Sequence, residues 1–532
     1  MEKTSQPEAK AKRNLLTRFL DGVEWLGNLL PHPVTLFFLL AVGIVLLSGL
    51  FGWMGVAVAD PRPAGSRGVA ENGMIETVSL LNAEGLRRIF TGLVENFTSF
   101  APLGVVLVSM LGVGVAERSG LLSAAVRALV LGAPKFLVTV AIVFAGILSN
   151  TASEVGYVVL IPLAGAIYYA LGRHPLAGMA AAFAGVSGGY SANLLVGTID
   201  PLLAGITEEA AQLLDREYQV QATANWGFMA ASTFLVTLIG SLISLWVVEP
   251  KLGAYDSSRA DPSVLDGRMM NPMTAGEKRG LLGAGLAILL VLGVMALTLI
   301  PEGGVFRDPV TGDQMDSPFF DGFVVWILLF FIVSGFAYGR VVGTMKTDRD
   351  VIDAMAAAIS SLGLYIVMAF FAAQFVAFFG WTNLGAITAV TGANFLEKSG
   401  LDGPLLFFGF IFLCALINLS LGSASAQWAV TAPIFVPMLM LLGYSPEVIQ
   451  AAYRIGDSST NIITPMMSYF GLILAWAARY DRKLGVGTLI AMMLPYSMAF
   501  LFFWSIFFYL WTFVFGLPVG PGSPTFFEVT EP

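Results

Sequence analysis

The chain is poor in charge, in cysteine and in histidine. Only 12% of its 532 residues are charged, whereas a soluble domain carries about 25%, so an ordinary soluble fold is excluded. The single cysteine, Cys414, excludes an intramolecular disulfide. With only two histidines beside it, a His/Cys metal centre is a poor interpretation. No nucleic-acid motif or basic tract is present. We therefore expect no cofactor, no resident metal and no nucleic-acid partner.

Apolar residues dominate instead. Hydrophobic side chains make up 56% of the chain, with 40 Phe. Apolar runs of roughly 20 residues recur along it, which is the length that crosses a bilayer as a helix. The sequence therefore predicts an all-α polytopic membrane protein. The clearest spans are 33–57, 99–117, 226–248, 281–300, 321–340, 357–380 and 486–515.

Basic residues predict the orientation of these spans. They cluster in the loops 249–280 and 340–350 and in the N-terminal arm 1–32, and clusters of this kind face the cytoplasm. The acidic connection 301–321 then lies outside. The arm 1–32 leads into a full-length span without a small-residue cleavage site, so we interpret it as a retained cytoplasmic arm rather than a signal peptide.

Two regions contain more apolar sequence than simple spans need, interrupted by Ser, Asn, Gly and Pro. Residues 147–175 align without gaps to residues 418–446. After a three-residue shift, "GGYSANLL" (188–195) matches "GDSSTNII" (456–463). The matched features follow the same order in both regions, which indicates an internal repeat.

Each copy of the repeat begins with two apolar arms around a polar tip. This pattern is typical of a re-entrant hairpin, because a non-helical tip at membrane depth must line a polar cavity. A helix broken at "GVSGGYSAN" or "IGDSSTN" follows, and such breaks free backbone groups to bind ions or substrate. The charge pattern places the hairpins on opposite sides, which predicts an inverted repeat with about nine spans and two hairpins. The alternative is ordinary spans with small residues at helix contacts.

These patterns divide the chain into an arm, two repeats, the spans around them and a tail. The predicted segments are 1–32 (cytoplasmic arm), 33–117 (first two spans), 119–212 (first repeat), 226–380 (scaffold and dimerisation spans), 404–480 (second repeat), 486–515 (final span) and 516–532 (external tail).

Three charged residues lie within apolar sequence. Arg454 and Asp457 are three residues apart, so a helix places them on one face. Pairing there would offset part of the about 2.5–3.5 kcal/mol that a charge costs at mid-bilayer. They form either a structural ion pair or a site in which Asp457 takes a proton or cation and Arg454 binds a substrate carboxylate. Asp200, followed by a proline, is either a proton carrier or an Asp-Pro turn at the membrane surface.

Polar and aromatic residues near the tips and breaks complete the candidate site. Trp428, aligned with Tyr157, either stacks on an aromatic substrate or packs in the core. Hydroxyl and amide groups suit a carboxylate or Na⁺, and the Na⁺ alternative lies near Asn193 and Asn461. These groups belong to Ser149, Asn150, Thr151, Ser423, Ser425, Asn193 and Asn461.

Other residues near the breaks are assigned mainly structural roles. Pro446 and Pro465 are expected at helix breaks. His174 lies in a short predicted loop and His32 precedes the first span, so we do not place either as a proton relay. Glu154, beside the first tip, is either a titrating group or one that faces the cytoplasm.

The stretch "SAQWAVTAPIFVPM" (425–438), followed by "YRIGDSSTNIITPMMSYF" (453–470), resembles the AbgT family of p-aminobenzoyl-glutamate transporters. The resemblance extends over nearly the whole chain and implies a dimer with nine spans and two hairpins per subunit. It also implies uptake of p-aminobenzoyl-glutamate and proton-driven export of sulfonamide antimetabolites. The family positions implicated in transport correspond to Asp200, Ser425, Trp428, Pro446, Arg454, Asp457 and Pro465.

Two other functions fit parts of the sequence. "LSNTAS" (148–153) resembles the hairpin tip of Na⁺-coupled dicarboxylate carriers, although the second tip reads "SAS". "GVSG" (185–188) fits the surroundings of a serine nucleophile in an intramembrane protease, but neither histidine is predicted inside a span to act as its base. We expect a transporter and not an enzyme. The predicted carrier is homodimeric, lies in the bacterial inner membrane with its N-terminus in the cytoplasm, and couples to H⁺ or Na⁺.

Overall fold

Within the residues that it describes, the computed structural model of the chain is mostly helical. It describes residues 31–61, 72–151, 155–256, 273–315, 317–482 and 484–527. Predictions for most of the cytoplasmic arm, for Glu154 and for the last residues of the tail fall outside these ranges.

The helices follow one another with a small antiparallel β-hairpin near the start. The first half contains α1 (Pro33–Met54), β1 (Ala57–Ala59), β2 (Met74–Glu76), α2 (Ala83–Thr98), α3 (Ala101–Ser119), α4 (Leu121–Leu131), α5 (Val138–Ser149), α6 (Ile161–Ala170), α7 (Pro175–Phe183), α8 (Ile199–Ala211), α9 (Trp226–Ile243) and α10 (Glu249–Leu252). The second half contains α11 (Ala275–Leu299), α12 (Pro318–Asp321), α13 (Phe323–Val342), α14 (Asp348–Ser361), α15 (Gly363–Trp381), α16 (Leu384–Lys398), α17 (Leu406–Leu421), α18 (Ala424–Met440), α19 (Pro446–Asn461), α20 (Phe470–Ala478) and α21 (Val486–Tyr509).

Seven helical segments among the described residues are long and apolar enough to cross a membrane. They contain α1, α3, α9, α11, α13, α15 and α21. Each coincides with a span predicted from the apolar runs, so those spans are confirmed. That the broken helices, α7 with α8 and α19 with α20, supply the remaining crossings of the predicted nine stays a prediction.

Both predicted hairpins are present. The arms α5 and α6 flank the first tip, and α17 and α18 flank the second tip at Gly422 and Ser423. Gly422 has a φ of 58°, and a Cβ on it would lie 2.9 Å from the carbonyl carbon of Met466. This position therefore requires glycine, both for the left-handed backbone and for the close approach to the second break. The opposite orientation of the two hairpins, and with it the inverted repeat, stays a prediction.

A glycine also lets the first arm of each hairpin approach its broken helix. A Cβ on Gly185 would overlap the carbonyl oxygen of Val143 in α5. A Cβ on Gly456 would lie 2.5 Å from the carbonyl oxygen of Ile411 in α17. A close backbone contact between hairpin and broken helix thus occurs in both halves of the chain, although the two glycines do not align in the repeat.

The first helix breaks where the sequence predicts, but the second does not. A π-helical turn follows α7, and the chain is then irregular over 189–198. In the second copy α19 runs unbroken through "IGDSSTN" to Asn461, and the irregular segment is 462–469. The prediction of a break at "IGDSSTN" is wrong because hydroxyl groups there bond back into the helix, as when Thr460 Oγ1 donates to Gly456 O at 3.0 Å.

The two prolines lie at different kinds of position. Pro465 falls in the second break, as expected. Pro446 is the first residue of α19 and lies at no break, which corrects its predicted place. Proline suits the first helical position, because its missing N–H has no intrahelical partner there in any case.

Helix α14 lies on the surface beside α3 and begins with a capping box. Thr347 accepts from Asp350 N, and Asp350 Oδ2 accepts from Thr347 N at 2.8 Å. The backbone N–H groups of Lys346 and Thr347 lower the pKa of the Asp350 carboxyl. The cap fixes the start of the helix that closes one side of the main cavity.

The described part of the tail folds back on the helix bundle. Phe527 N donates to Gly443 O at 2.8 Å, and Ser445 N donates to Thr525 O at 3.2 Å. The tail therefore covers the first turn of α19.

Candidate functional site

A buried ion pair joins the two broken helices. Arg454, in the middle of α19, places Nη1 2.7 Å from Oδ1 of Asp200, in the first turn of α8. The Arg454 side chain is 1% exposed and that of Asp200 is 8% exposed. The Asp-Pro turn at the membrane surface is therefore wrong for this structure. The expected pairing of Arg454 with Asp457 is also wrong, because the ion-pair partner of Arg454 comes from the first repeat.

The first break supplies the groups that hold this ion pair. Gly197 N donates to Asp200 Oδ2 at 2.6 Å, and Arg454 Nη2 donates to Ser191 O at 3.0 Å. Ser191 N donates in turn to Ser458 Oγ of α19 at 3.1 Å. The irregular backbone of one repeat is thus bonded directly to the helix of the other, as expected where a broken helix frees backbone groups.

Asp457 is fully buried one turn beyond Arg454. Neither of its carboxylate oxygens makes a hydrogen bond of normal geometry with a described residue. Its backbone carbonyl accepts from Asn418 Nδ2 at 2.7 Å. Burying an ionised carboxylate with so few donors is costly, so this group is suited to take up a proton or a cation.

A cavity of about 700 Å³ lies between the two hairpin tips and the two breaks. Its polar lining comes from both tips, both breaks, α3 and α14: Asn150, Tyr157, Tyr190, Thr198, Ser423, Ser425, Asn461, Ser468, Tyr469, Ser361, Glu117 and Arg118. Tyr190 and Ile199 line it, and the next residues, Ser191 and Asp200, contact Arg454. The ion pair therefore lies directly behind the cavity wall.

Two of the three tyrosines that line the cavity are stacked on each other. The rings of Tyr157 and Tyr469 are stacked, with centroids 4.6 Å apart and planes 7° apart. Trp428, which the sequence offered for substrate stacking, is fully buried and does not line the cavity. Its ring stacks on Tyr453 at 4.3 Å, and its Nε1 donates to Thr207 Oγ1 at 2.8 Å. In this structure Trp428 packs in the core.

The amides near the two tips bond to the breaks or broken helices beside them. Asn150 Nδ2 donates to Val186 O, and Asn418 Nδ2 donates to Asn461 Oδ1, both at 2.8 Å. Thr151 Oγ1 donates to Asn193 Oδ1 at 2.9 Å. The side-chain oxygens of Asn193 and Asn461 therefore already accept bonds, and the two residues lie in different repeats.

The remaining predicted residues divide between the cavity and the packing around it. Asn150, Ser423, Ser425 and Asn461 line the cavity. Ser149 does not, and its hydroxyl donates to Gly146 O at 2.6 Å. Among the described residues no group of three or more His, Cys, Asp or Glu is placed to hold a metal ion.

Among the residues that sequence reasoning missed, four add an aromatic ring or a charge to the cavity lining. Tyr190 and Tyr469 lie in the two breaks, next to motifs that the repeat had already marked. Glu117 and Arg118, at the end of α3, are brought in by tertiary packing alone. No local pattern in the sequence distinguishes these two from ordinary surface charges.

The structure combines paired hairpins, paired broken helices and a polar cavity beside a buried ion pair. This combination defines a polytopic membrane transporter. The model of the AbgT transporter family matches residues 18–527, and the chain belongs to this family. The family resemblance predicted from the sequence is thereby confirmed.

Three relatives cover nearly the whole chain. The p-aminobenzoyl-glutamate transport protein of Escherichia coli K12 is 37% identical over 500 residues, which are 94% of this chain and 95% of the relative. The structure of Neisseria gonorrhoeae MtrF is described as illuminating a class of antimetabolite efflux pumps. It is 58% identical in sequence with a TM-score of 0.90, and the match covers 95% of this chain and 100% of the MtrF chain. The Alcanivorax borkumensis YdaH transporter, described as having an unusual topology, is 46% identical with a TM-score of 0.84, covering 92% and 100%.

Proposed function

We propose that the chain is a secondary active transporter of p-aminobenzoyl-glutamate and related para-aminobenzoate compounds, including proton-driven export of sulfonamide antimetabolites. The name of the Escherichia coli relative and the description of the Neisseria gonorrhoeae structure support this substrate class. The observation that carries the proposal is the Arg454–Asp200 ion pair, which ties the two repeats together directly behind the cavity.

The cavity matches a ligand with an aromatic ring and carboxylates. The stacked rings of Tyr157 and Tyr469 offer an apolar face for a benzoyl or sulfonamide ring. Amide and hydroxyl groups from both tips and from the end of α19 line the same cavity, from Asn150, Ser423, Ser425 and Asn461. Arg118 at the edge of the cavity offers a cation for an entering carboxylate.

Competition for Arg454 couples the ion to the substrate. When Asp200 is ionised it holds the guanidinium, and when it is protonated the guanidinium is free for a substrate carboxylate. Asp457, one turn away and without a hydrogen bond of normal geometry to its carboxylate, is the second group that can take the coupling ion. A proton fits these carboxylates directly, and Na⁺ near Asn193 or Asn461 is the alternative for the coupling ion.

The remaining features of the proposal concern location and assembly. The cavity is lined by the end of α3 and by α14, next to the basic loop 340–350. We assign this side to the cytoplasm of a bacterial inner membrane, with the N-terminus on the same side. We assign the protein to a homodimer assembled through the 226–380 region.

Transport into proteoliposomes tests the proposed function. The wild type and Asp457→Ala are each supplied with labelled p-aminobenzoyl-glutamate or a labelled sulfonamide. An H⁺ gradient and a Na⁺ gradient are imposed in separate experiments. A proton gradient is expected to drive accumulation in the wild type but not in the variant. Indifference to both gradients would refute secondary transport. Uptake of succinate without any response to p-aminobenzoyl-glutamate would favour a dicarboxylate carrier instead.

A further inference from the structure

A second row of polar contacts continues away from the ion pair, along the interface between α19 and α8. Next to the Arg454–Asp200 pair, Gln450 Oε1 accepts from the hydroxyl of Thr207 in α8. Beyond it, Glu447 accepts from Tyr218, which follows α8. On a helix, residues 447, 450 and 454 share one face. These three contacts, which we call the polar seam, lie in a row along one face of α19, from the ion pair to its first turn.

Glu447 forms the outer end of this seam. The residue is only 4% exposed. The Tyr218 hydroxyl lies 2.9 and 3.1 Å from its two carboxylate oxygens. Asp200, Arg454, Asp457 and Glu447 are the buried charged residues of the described chain, so three acids accompany one base. Since Arg454 is paired with Asp200, Glu447 has no buried cation of its own.

The described groups around Glu447 include neutral hydrogen-bond donors, among them the Tyr218 hydroxyl, but no buried cation. Asn225 Nδ2 donates to its backbone carbonyl at 2.8 Å, while Asn225 Oδ1 and Thr223 Oγ1 are buried without a described partner. Buried polar atoms of this kind are usually satisfied by water. The segments packed against α19 carry acids, phenols, one thiol and a single cation, Arg216, in the exposed loop after α8. These residues are Asp200, Glu208, Glu209, Asp215, Arg216, Glu217 and Tyr218 on α8 and the loop that follows it, Cys414 on α17, and Tyr496 and Tyr509 on α21.

We infer that Glu447 is a proton-relay residue, which exchanges a proton between water at the outer end of α19 and the Arg454–Asp200 site. The inference rests on the proposed proton coupling. Gln221, three residues after Tyr218, places Nε2 3.4 Å from Asp321 Oδ1, so the loop that carries Tyr218 also contacts the acidic connection 301–321. The main cavity is lined by α14, which follows the other end of α13 from Asp321. The proton thus enters from one side of the membrane while the substrate cavity faces the opposite side.

The test compares two transport modes in proteoliposomes with labelled p-aminobenzoyl-glutamate. Accumulation driven by a pH gradient requires net proton movement, whereas counterflow exchange at equal pH does not. Glu447→Gln keeps the size of the side chain and one acceptor oxygen for Tyr218 but cannot carry a proton. We expect it to lower gradient-driven accumulation about tenfold or more, with counterflow within about twofold of the wild type. Glu447→Asp is expected to restore part of the accumulation. The control is Glu208→Gln, which alters a half-buried acid that accepts from Val220 N, and it is expected to leave both modes unchanged.

Loss of both modes in Glu447→Gln, with Glu447→Asp equally inactive, would show a structural role and overturn the relay. Equal activity of wild type and Glu447→Gln in both modes would overturn it too. Infrared titration of the purified protein adds a readout that is independent of the substrate. A pH-dependent carboxyl band is expected to disappear in Glu447→Gln, and identical spectra would refute titration of Glu447. A wild type that exchanges substrate but ignores the pH gradient would instead refute the proposed proton coupling itself.

Discussion

Arg454 and Asp200 belong to different repeats, and their side chains meet at 2.7 Å in the interior of the bundle. The pair connects α19 with the first turn of α8, and the Arg454 guanidinium also bonds to the first break through Ser191 O. Any motion of one broken helix against the other must break or carry along this contact. We therefore regard it as the point where ion binding and substrate binding compete.

Removing both partners of the Arg454–Asp200 pair should lower the stability of the protein by less than the two single removals together suggest. Arg454→Gln or Asp200→Asn leaves one charge buried alone, which costs about 3–5 kcal/mol. The double variant Asp200→Asn/Arg454→Gln is expected to lose less stability than the sum of the single changes. Thermal unfolding of the purified protein in detergent measures this. Arg127→Gln, which breaks a more exposed ion pair with Glu277, is the control and should cost less than about 1 kcal/mol. Strict additivity of the two single changes would contradict the proposed pairing.

Replacing Asp457 with asparagine should abolish the coupling of transport to the proton gradient without lowering the stability of the protein. Its carboxylate is fully buried and makes no hydrogen bond of normal geometry with a described residue. An uncharged side chain of the same shape removes the desolvation cost of the charged form. Asp457→Asn is therefore expected to unfold at the same or a higher temperature while losing accumulation driven by a pH gradient. A variant that unfolds early but transports normally would oppose this role.

The stacked tyrosines should determine affinity for the aromatic ring. Tyr469→Ala removes one face of the stack, and such contacts contribute about 0.5–1.5 kcal/mol. We expect KM for p-aminobenzoyl-glutamate to rise by about twofold to tenfold. Initial rates over a range of substrate concentrations give the value. Tyr509→Ala changes a tyrosine that packs on Phe408 away from the cavity, and its KM should not move. Equal KM changes in the two variants would remove Tyr469 from the binding site.

The glycine contact between the second hairpin and α19 predicts a steric effect. A methyl group at Gly456 would lie 2.5 Å from Ile411 O and 2.8 Å from Cys414 Cβ. Gly456→Ala is expected to destabilise the protein by about 1–3 kcal/mol through overpacking. Gly409→Ala in the same hairpin is the matched control, because no atom lies within 4 Å of its added Cβ. There the better helix propensity of alanine should leave stability unchanged or raised. Similar unfolding temperatures for both variants would argue against the close contact.

The sequence predicted the spans because each is a local property of one apolar run. It also predicted the paired hairpins, because the polar tips and the order of the repeat are visible in the residues themselves. The end of α19 could not be located in this way. Ser, Thr and Asn favour breaks in general, yet here Thr460 bonds within the helix and the chain becomes irregular only after Asn461.

The partner of Arg454 is a tertiary property. Spacing along a helix favoured Asp457, whereas the true partner, Asp200, lies in the other half of the chain. Trp428 was correctly placed near the second tip, but only packing shows that its ring is covered by Tyr453. Which of the predicted residues take part in transport stays a prediction until the variants are measured.

The central claim is that proton and substrate movements are coupled through Arg454 and Asp200. The most direct measurement is proton flux, followed with a pH-sensitive dye inside proteoliposomes when p-aminobenzoyl-glutamate is added. The wild type is expected to move protons only when substrate is present, and Asp200→Asn is expected to abolish that flux although the protein remains folded. Substrate transport in the wild type without any proton movement, or unchanged proton flux in Asp200→Asn, would contradict the account.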